Sequence, residues 1–354
     1  MSAILEAKQL SVDIPLAAGM LHPVRGVSFA VERGETLGIV GESGCGKSLT
    51  ALALMGLLPS RARRQAEKLH FAGGDLLKTR ERDMARLRGN KLSMVFQEPM
   101  TSLNPVYTIG NQLEEALLRH KKVPHQEARD RAVFLLDKVG IPAAESRLKQ
   151  YPHQLSGGLR QRVMIAMALM CGPELIIADE PTTALDVTIQ AQILLLLASL
   201  QREFNMGMIL ITHDLGIVAR VADRVAVMYA GKIVETGTAR EIFETPLHPY
   251  TQGLLQCIPI PGRTKPGQHL GSIPGIVPTL MGDLRGCQFA SRCTYASEVC
   301  LSEEVPLKEV ADQRGYRCLL SFKEVQANAR RLAPGGNGGA PKTHARKAAK
   351  RGSG

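Results

Sequence analysis

The stretch Gly41-Glu42-Ser43-Gly44-Cys45-Gly46-Lys47-Ser48 constrains this chain more than any other. It has the form G-x-x-x-x-G-K-[ST]. The apolar run Glu35-Thr36-Leu37-Gly38-Ile39-Val40 before it reads as a buried strand, and Leu49 to Leu58 after it reads as a helix. Strand, glycine-rich turn and helix start together form a cradle of backbone N–H groups, backed by the positive end of the helix dipole. Gly41, Ser43, Gly44, Cys45, Gly46 and Leu49 belong to this cradle. Lys47 is expected to reach the β- and γ-phosphates of a nucleotide, and the Ser48 hydroxyl to ligate Mg²⁺. The chain is predicted to bind a nucleoside triphosphate.

At 354 residues the length suits one large domain plus a smaller one, with enough chain for a real core. No apolar run approaches the roughly 18 residues that span a bilayer. The start, Met1-Ser2-Ala3-Ile4-Leu5-Glu6, lacks the basic and apolar pattern of a secretory signal. The expectation is therefore a cytosolic protein whose seven cysteines are reduced or metal-bound. A net charge of +11 suggests nucleic acid, but from Arg330 to Gly354 there are seven Lys or Arg and no acid. That stretch, interleaved with Gly, Ala and Pro, reads as a disordered, solubilising tail. With 4% aromatics and no Trp, stacking platforms for single strands are few, and no specific nucleic-acid partner is expected.

Residues 1 to 34 read as short strands joined by turns, with alternation at Ser11–Ile14 and Val27–Val31. A polar region from Ser60 to Asn90 shows only the turn Gly73-Gly74-Asp75, and Leu92–Phe96 is the next strand. From Ile109 to about Tyr151 the period turns helical, with Gln112, Leu113, Ala116 and Leu117, then Ala132, Leu135, Leu136 and Val139, giving two amphipathic helices. Another helix opens at Leu155-Ser156-Gly157-Gly158, Val187 to Phe204 is a long one, and Met208–Ile211 is a strand ending near His213. Val225–Tyr229 and Lys232–Glu235 read as a hairpin. The helical block thus interrupts an alternating strand–helix pattern, which predicts an α/β core with an inserted helical subdomain. Residues 258 to 286 carry five prolines and six glycines and read as a linker into a cysteine-bearing piece.

The buried run Leu175-Ile176-Ile177-Ala178 delivers Asp179 to a strand end, where it can hold Mg²⁺. Glu180 beside it is placed to polarise a water for attack on the γ-phosphate.

Leu155-Ser156-Gly157-Gly158-Leu159-Arg160-Gln161-Arg162 resembles the signature motif of ATP-binding cassette (ABC) proteins, and Lys47, Gln97, Ser156, Glu180 and His213 follow that family's order and spacing. The resemblance implies an ABC-type nucleotide-binding domain: a RecA-like core, an antiparallel β subdomain and an inserted helical subdomain. It implies that Ser156, Gly157 and Gly158 cap the γ-phosphate held by a second subunit. Gln97 becomes the Q-loop residue linking the Mg²⁺ site to the helical subdomain, Asp186 the D-loop residue at the dimer seam, and His213 the switch histidine on the γ-phosphate. Glu180 is the implied general base, in an ATPase with a composite, dimeric site. One departure stands out. Such ATPases stack adenine on an N-terminal aromatic, yet Val12 to Val24 contains none, leaving Ile14 or His22 nearest the base.

The run Phe96-Gln97-Glu98-Pro99-Met100-Thr101-Ser102-Leu103-Asn104-Pro105 is similar to the Q-loop extension of the oligopeptide and dipeptide importers. So are Tyr151-Pro152-His153-Gln154 and His248-Pro249-Tyr250-Thr251. This branch implies a peripheral subunit on the cytoplasmic face of the membrane that powers two permease subunits. It works beside a second, related ATPase, with a periplasmic or extracellular solute-binding protein as an indirect partner. The branch also imports nickel, glutathione and other solutes, so the solute stays open. The alternative from another class is a soluble ABC-type ATPase acting on nucleic acid or iron–sulfur assembly. The implied layout is an ATPase domain over 1–257 with its helical subdomain at about 98–160, an extension over 258–322, and a basic tail over 323–354.

The last four cysteines, Cys287, Cys293, Cys300 and Cys318, are spaced C-x5-C-x6-C-x17-C, unlike zinc ribbons or the common ferredoxin run. Cys45, Cys171 and Cys257 read as small apolar residues. Four thiolates could staple a core-poor segment through a [4Fe–4S] cluster or a zinc ion, with unligated thiols as the third reading. The importer branch, which carries a similar cysteine set with an associated iron–sulfur cluster, puts the cluster first.

Overall fold

A computed structural model of the chain describes residues 3–98, 102–182, 185–257, 271–282, 284–311 and 313–332. Leu5–Leu16 (β1) and Gly19–Val31 (β2) form a long antiparallel hairpin, and Thr36–Val40 (β3) leads into the phosphate loop. Arg63–Gln65 (β4), Lys68–Phe71 (β5) and Gly74–Asp75 (β6) complete a five-stranded sheet ordered β2-β1-β5-β6, with β4 also on β1. A second sheet draws on Leu92–Val95 (β7), Leu175–Asp179 (β8), Gly207–Thr212 (β9), Arg224–Tyr229 (β10), Lys232–Thr238 (β11), Lys308–Ala311 (β12) and Arg314–Tyr316 (β13). Its order is β12-β13-β11-β10-β3-β9-β8-β7. Strands β10, β3, β9, β8 and β7 run parallel, and the remaining pairs are antiparallel.

Every residue of β3, β7, β8 and β9 is buried, as near-continuous Ile, Leu and Val runs require when both faces of a parallel sheet are covered. Successive side chains point to opposite faces, so each strand feeds two cores. Ile39, Ile177, Ile209 and Ile211 join the core shared with the β1–β2 hairpin. Val40, Ile176, Ala178, Met208 and Leu210 join the core shared with the helices. The helical block comprises Ile109–Leu118, His125–Lys138, Ala144–Arg147 and Gly157–Leu169. Leu113, Leu117, Ala132, Leu135, Leu136 and Val139 are buried on its inner face. Gln112, also buried there, accepts the Asn104 N–H and donates to the carbonyls of Asn104 and Tyr107. Among the described residues no helix is long and apolar enough to cross a membrane.

Three regions differ from the sequence reading. The N-terminal strands are long rather than short: register shifts interrupt β1, and Gln9 adopts a positive φ of 52°, which breaks the side-chain alternation midway. The region from Ser60 to Asn90 holds three strands and the helix Glu81–Leu87. Residues 323–332, read as the start of the tail, belong to the helix Phe322–Leu332. Ser321 and Glu324 cap one another's backbone there, and Val325 is fully buried.

Glu235 on β11 ties this C-terminal region down. It is 1% exposed and accepts the N–H groups of Leu247 at 2.6 Å and His248 at 2.8 Å. Burial pushes its carboxyl up to about 7 from an ordinary 4.5, against the pull of those hydrogen bonds. A carboxyl raised on folding takes up a proton in the folded state. Its stabilisation is full below about pH 4.5 and is lost as pH climbs through about 7. Glu235→Gln is expected to flatten that dependence, by up to about 3 kcal/mol between pH 5 and pH 8. Calorimetric melting of both chains across that window checks it; parallel curves would remove Glu235 from the pH response.

Candidate nucleotide site

The parallel strands all end on one edge of the sheet, which places their following residues together. From β3 the chain turns through Gly41 and the phosphate loop into the helix Lys47–Met55. A Cβ on Gly41 would overlap the Met228 carbonyl, and one on Gly46, at φ 103°, would overlap the Pro23 carbonyl. Only glycine fits at either position. The helix start has no side-chain cap and no acidic residue in its first turn, so its N–H groups remain available to an anion. Lys47 is 4% exposed; its ammonium donates to the carbonyls of Gly41 at 2.8 Å and Glu42 at 3.0 Å. Ser43 and Gly44 are exposed, Cys45 is buried, and Leu49 is partly buried against the hairpin core.

Asp179 ends β8, where it accepts a hydrogen bond from the Ser48 hydroxyl at 3.0 Å. Burial pushes its carboxyl up to about 6, with the Glu180 charge adding to the effect. A buried carboxylate held above its ordinary range, beside a half-buried hydroxyl, makes an oxygen pair that suits a hard cation, so Ser48 and Asp179 fit Mg²⁺. When bound, the ion would neutralise charge on the phosphates.

Glu180 follows with a φ of 44°, a strained conformation for a residue with a side chain. Its N–H donates to the Ile211 carbonyl on β9. Three residues surround its carboxylate: Gln97 at 3.4 Å, His213 at 3.7 Å and Lys47 at 3.9 Å. They meet because β7, β8, β9 and β3 are neighbours in register, Asp179 lying opposite Ile211 and Val40 opposite Thr212. Six residues singled out in the sequence, Lys47, Ser48, Gln97, Asp179, Glu180 and His213, therefore gather at one sheet edge.

Other sequence candidates stand apart from that cluster. The Ser156 hydroxyl caps the helix Gly157–Leu169 by accepting from Leu159 N–H, and Ser156 and Gly157 are exposed. Asp186 caps the helix Val187–Phe204 in the same way. Among the described hydrogen bonds none joins Ser156, Gly157, Gly158 or Asp186 to the phosphate loop of their own chain. Thr183 and Ala184 lie outside the described residues. His22 bonds Asp13 at 2.6 Å and Ile14 pairs with Leu21 across the same hairpin, beside the Pro23 carbonyl that abuts Gly46.

Cys287, Cys293, Cys300 and Cys318 line a single cavity of about 320 Å³. Burial pushes Cys293 up to about 12 and Cys318 up to about 11, and the other cysteines add to both. Lys232 acts in the opposite sense on Cys287, and Lys308 on Cys318. Among the described residues no three His, Cys, Asp or Glu side chains converge closely enough to hold a metal ion as they stand.

Residues 24–183 match the ABC transporter family model, and residues 234–300 match the C-terminal region of oligopeptide/dipeptide transporters. The dipeptide transport ATP-binding protein DppD of Escherichia coli (strain K12) is 50% identical over 316 residues, 89% of this chain and 96% of that one. DppD of Bacillus subtilis (strain 168) is 52% identical over 301 residues, 85% of this chain and 89% of its own. The oligopeptide transport ATP-binding protein OppD of Bacillus subtilis (strain 168) is 50% identical, covering 87% of this chain and 86% of its own. The chain belongs to the oligopeptide/dipeptide ABC transporter ATP-binding family. Among solved structures, the dimeric MJ0796 cassette aligns with a TM-score of 0.59 at 27% identity, over 67% of this chain and 99% of that one. The same cassette in a post-hydrolysis state with ADP and Pi also gives 0.59, at 25% identity. This family member therefore has the ABC cassette fold and is an ATPase.

Arg292, which sequence reasoning passed over, is bound to the phosphate loop. It forms a two-bond ion pair with Glu42 at 2.6 and 2.9 Å. No spacing rule links positions 250 residues apart.

Proposed function

We propose that this subunit powers the import of di- or oligopeptides through a membrane permease from the cytoplasmic face. The observation that carries the reading is the join between a complete ATPase cluster and the matched C-terminal region, which begins on β11 and includes the buried His248 and Tyr250. In this reading Lys47 and the loop N–H groups hold the phosphates, while Ser48, Asp179 and Gln97 form the Mg²⁺ shell. Glu180 takes the proton of a water that attacks the γ-phosphate, and His213 steadies that phosphate. The exposed Ser156 and Gly157 and the half-buried Gly158, with Asp186 at the seam, complete the site of a second, related ATPase. Ile14 or His22 lies nearest the base.

Residues 1–257 act as the cassette and 258–322 as the extension. A groove of about 750 Å³ runs between Met55, Leu57 and Phe96 on the core side and Ala116, Met164 and Met167 on the helical side. Phe96 adjoins Gln97, so a permease helix in this groove would feel the Mg²⁺ site through one peptide bond. The cysteine cavity holds a [4Fe–4S] cluster in this reading, with zinc second. What supports it is that the half-buried Cys293 and Cys318 thiols, whose proton affinity the neighbouring cysteines raise, would be relieved by a cation, for which the four sulfurs lining the cavity must draw together.

The test is anaerobic affinity purification from detergent-solubilised membranes. Two permease proteins and a second ATPase, with iron and sulfide present, are the expected result. Recovery from the soluble fraction alone, with RNA or assembly factors, would overturn the transport reading; zinc without sulfide would replace the cluster.

A further inference from the structure

Arg292 lies in the turn Ala290–Arg292, next to Cys293 in sequence, and its side chain is 3% exposed. Its guanidinium uses every donor it has. The Nε–H donates to the Pro274 carbonyl at 2.8 Å. One amino group donates to Glu42 Oε2 at 2.6 Å and to the Tyr229 hydroxyl at 3.4 Å. The other donates to Glu42 Oε1 at 2.9 Å and to the Ile273 carbonyl at 3.2 Å. Glu42 is held at its backbone too, since its N–H donates to the Tyr250 hydroxyl at 2.8 Å. The Glu42 carbonyl in turn accepts from Lys47.

Glu42 needs this attention. It puts a carboxylate inside a loop whose purpose is to bind phosphate, where an uncompensated negative charge opposes the ligand. Phosphate binding uses the loop's N–H groups and Lys47, not this side chain. Burying an ion pair also gives little net stability, so a purely structural reason for it is weak. What a two-bond arginine fork does supply is charge neutralisation with fixed direction.

We propose that Arg292 is a positioning residue for the phosphate loop: it neutralises and orients Glu42, and through the Glu42 carbonyl it sets the Lys47 ammonium. The cysteine-lined segment thereby shapes the ATP site of the same chain.

The test is titration of the purified full-length chain, with Mg²⁺, by a slowly hydrolysed ATP analogue, alongside melting curves. Arg292→Ala is expected to weaken binding about tenfold, because Glu42 is left charged and free to turn toward the phosphates. Adding Glu42→Gln to that variant is expected to bring affinity back to within about threefold of the parent. The melting curves separate the two readings: a scaffold defect lowers melting temperature and affinity together, whereas lost neutralisation weakens binding in variants that melt like the parent. Val305→Ala, buried in the same segment away from Glu42, should lower the melting temperature and leave affinity unchanged. Arg292→Lys keeps the charge, loses the fork, and is expected to weaken binding about threefold even if Arg292→Ala fails to fold. Parental affinity in Arg292→Ala, or in Arg292→Lys if only that folds, would overturn the proposal. So would a double variant no better than Arg292→Ala.

Discussion

Glu180→Gln is expected to cut ATP turnover about a thousandfold while ATP binding survives, the loss typical of a removed general base. The carboxylate sits among Gln97, His213 and Lys47, at the end of the strand that also presents Asp179. An amide can keep a hydrogen bond to Gln97, but it cannot take a proton from water. Glutamine meets the same left-handed backbone at this position, so the fold should be unaffected. Removing a negative charge 3.9 Å from Lys47 should, if anything, tighten the grip on phosphate. Closed dimers should therefore accumulate with ATP bound. Steady-state phosphate release and size-exclusion profiles with ATP read the two halves separately. Hydrolysis at the parental rate would take the role of base away from Glu180.

Lys47→Ala acts one step earlier and should abolish useful binding, with a fall of about a hundredfold in ATP affinity. The ammonium is buried and bound to the carbonyls of its own loop, an arrangement in which phosphate oxygens can take over as partners. Without it the loop keeps its N–H groups but loses its fixed positive charge, and Glu180 faces the phosphates uncompensated. Ligand binding raises melting temperature by mass action, so the parent should melt higher as ATP is added. That rise should vanish in Lys47→Ala at the same nucleotide concentrations. An undiminished rise would mean that the loop holds nucleotide without its lysine.

Local patterns made the centre of this molecule readable. The apolar runs at β3, β8 and β9 are buried on both faces, and such runs stand out against any polar background. The helical block announced itself through Leu113, Leu117, Leu135 and Leu136, all of which face the core. The gathering of Gln97, Glu180 and His213 was foreseeable through motif order, whereas their distances follow from the register of neighbouring strands. Short polar or exposed elements escaped notice: β4, β5 and β6 are too short to show a period, and β12 is largely exposed. In β1 the bulge near Gln9 breaks the alternation, so that only Ser11–Ile14 showed as a strand. The Arg292–Glu42 pair had no local signal at all, because complementarity across 250 residues is a property of the folded chain alone.

The strand order carries a consequence for how this protein is made. The phosphate loop hangs from β3, whose neighbours in the sheet are β9 and β10, beginning at residues 207 and 224. On the ribosome, Leu37, Ile39 and Val40 must emerge long before either neighbour exists. Contacts this distant in sequence slow folding, and the waiting strand is a sticky, unpaired apolar segment. Nucleotide cannot rescue a nascent chain at this stage, since Asp179 and Glu180 also have yet to find their places. Synthesis rate and chaperone cover over the middle third of the chain should thus govern the yield of soluble protein more than any property of its finished ATP site.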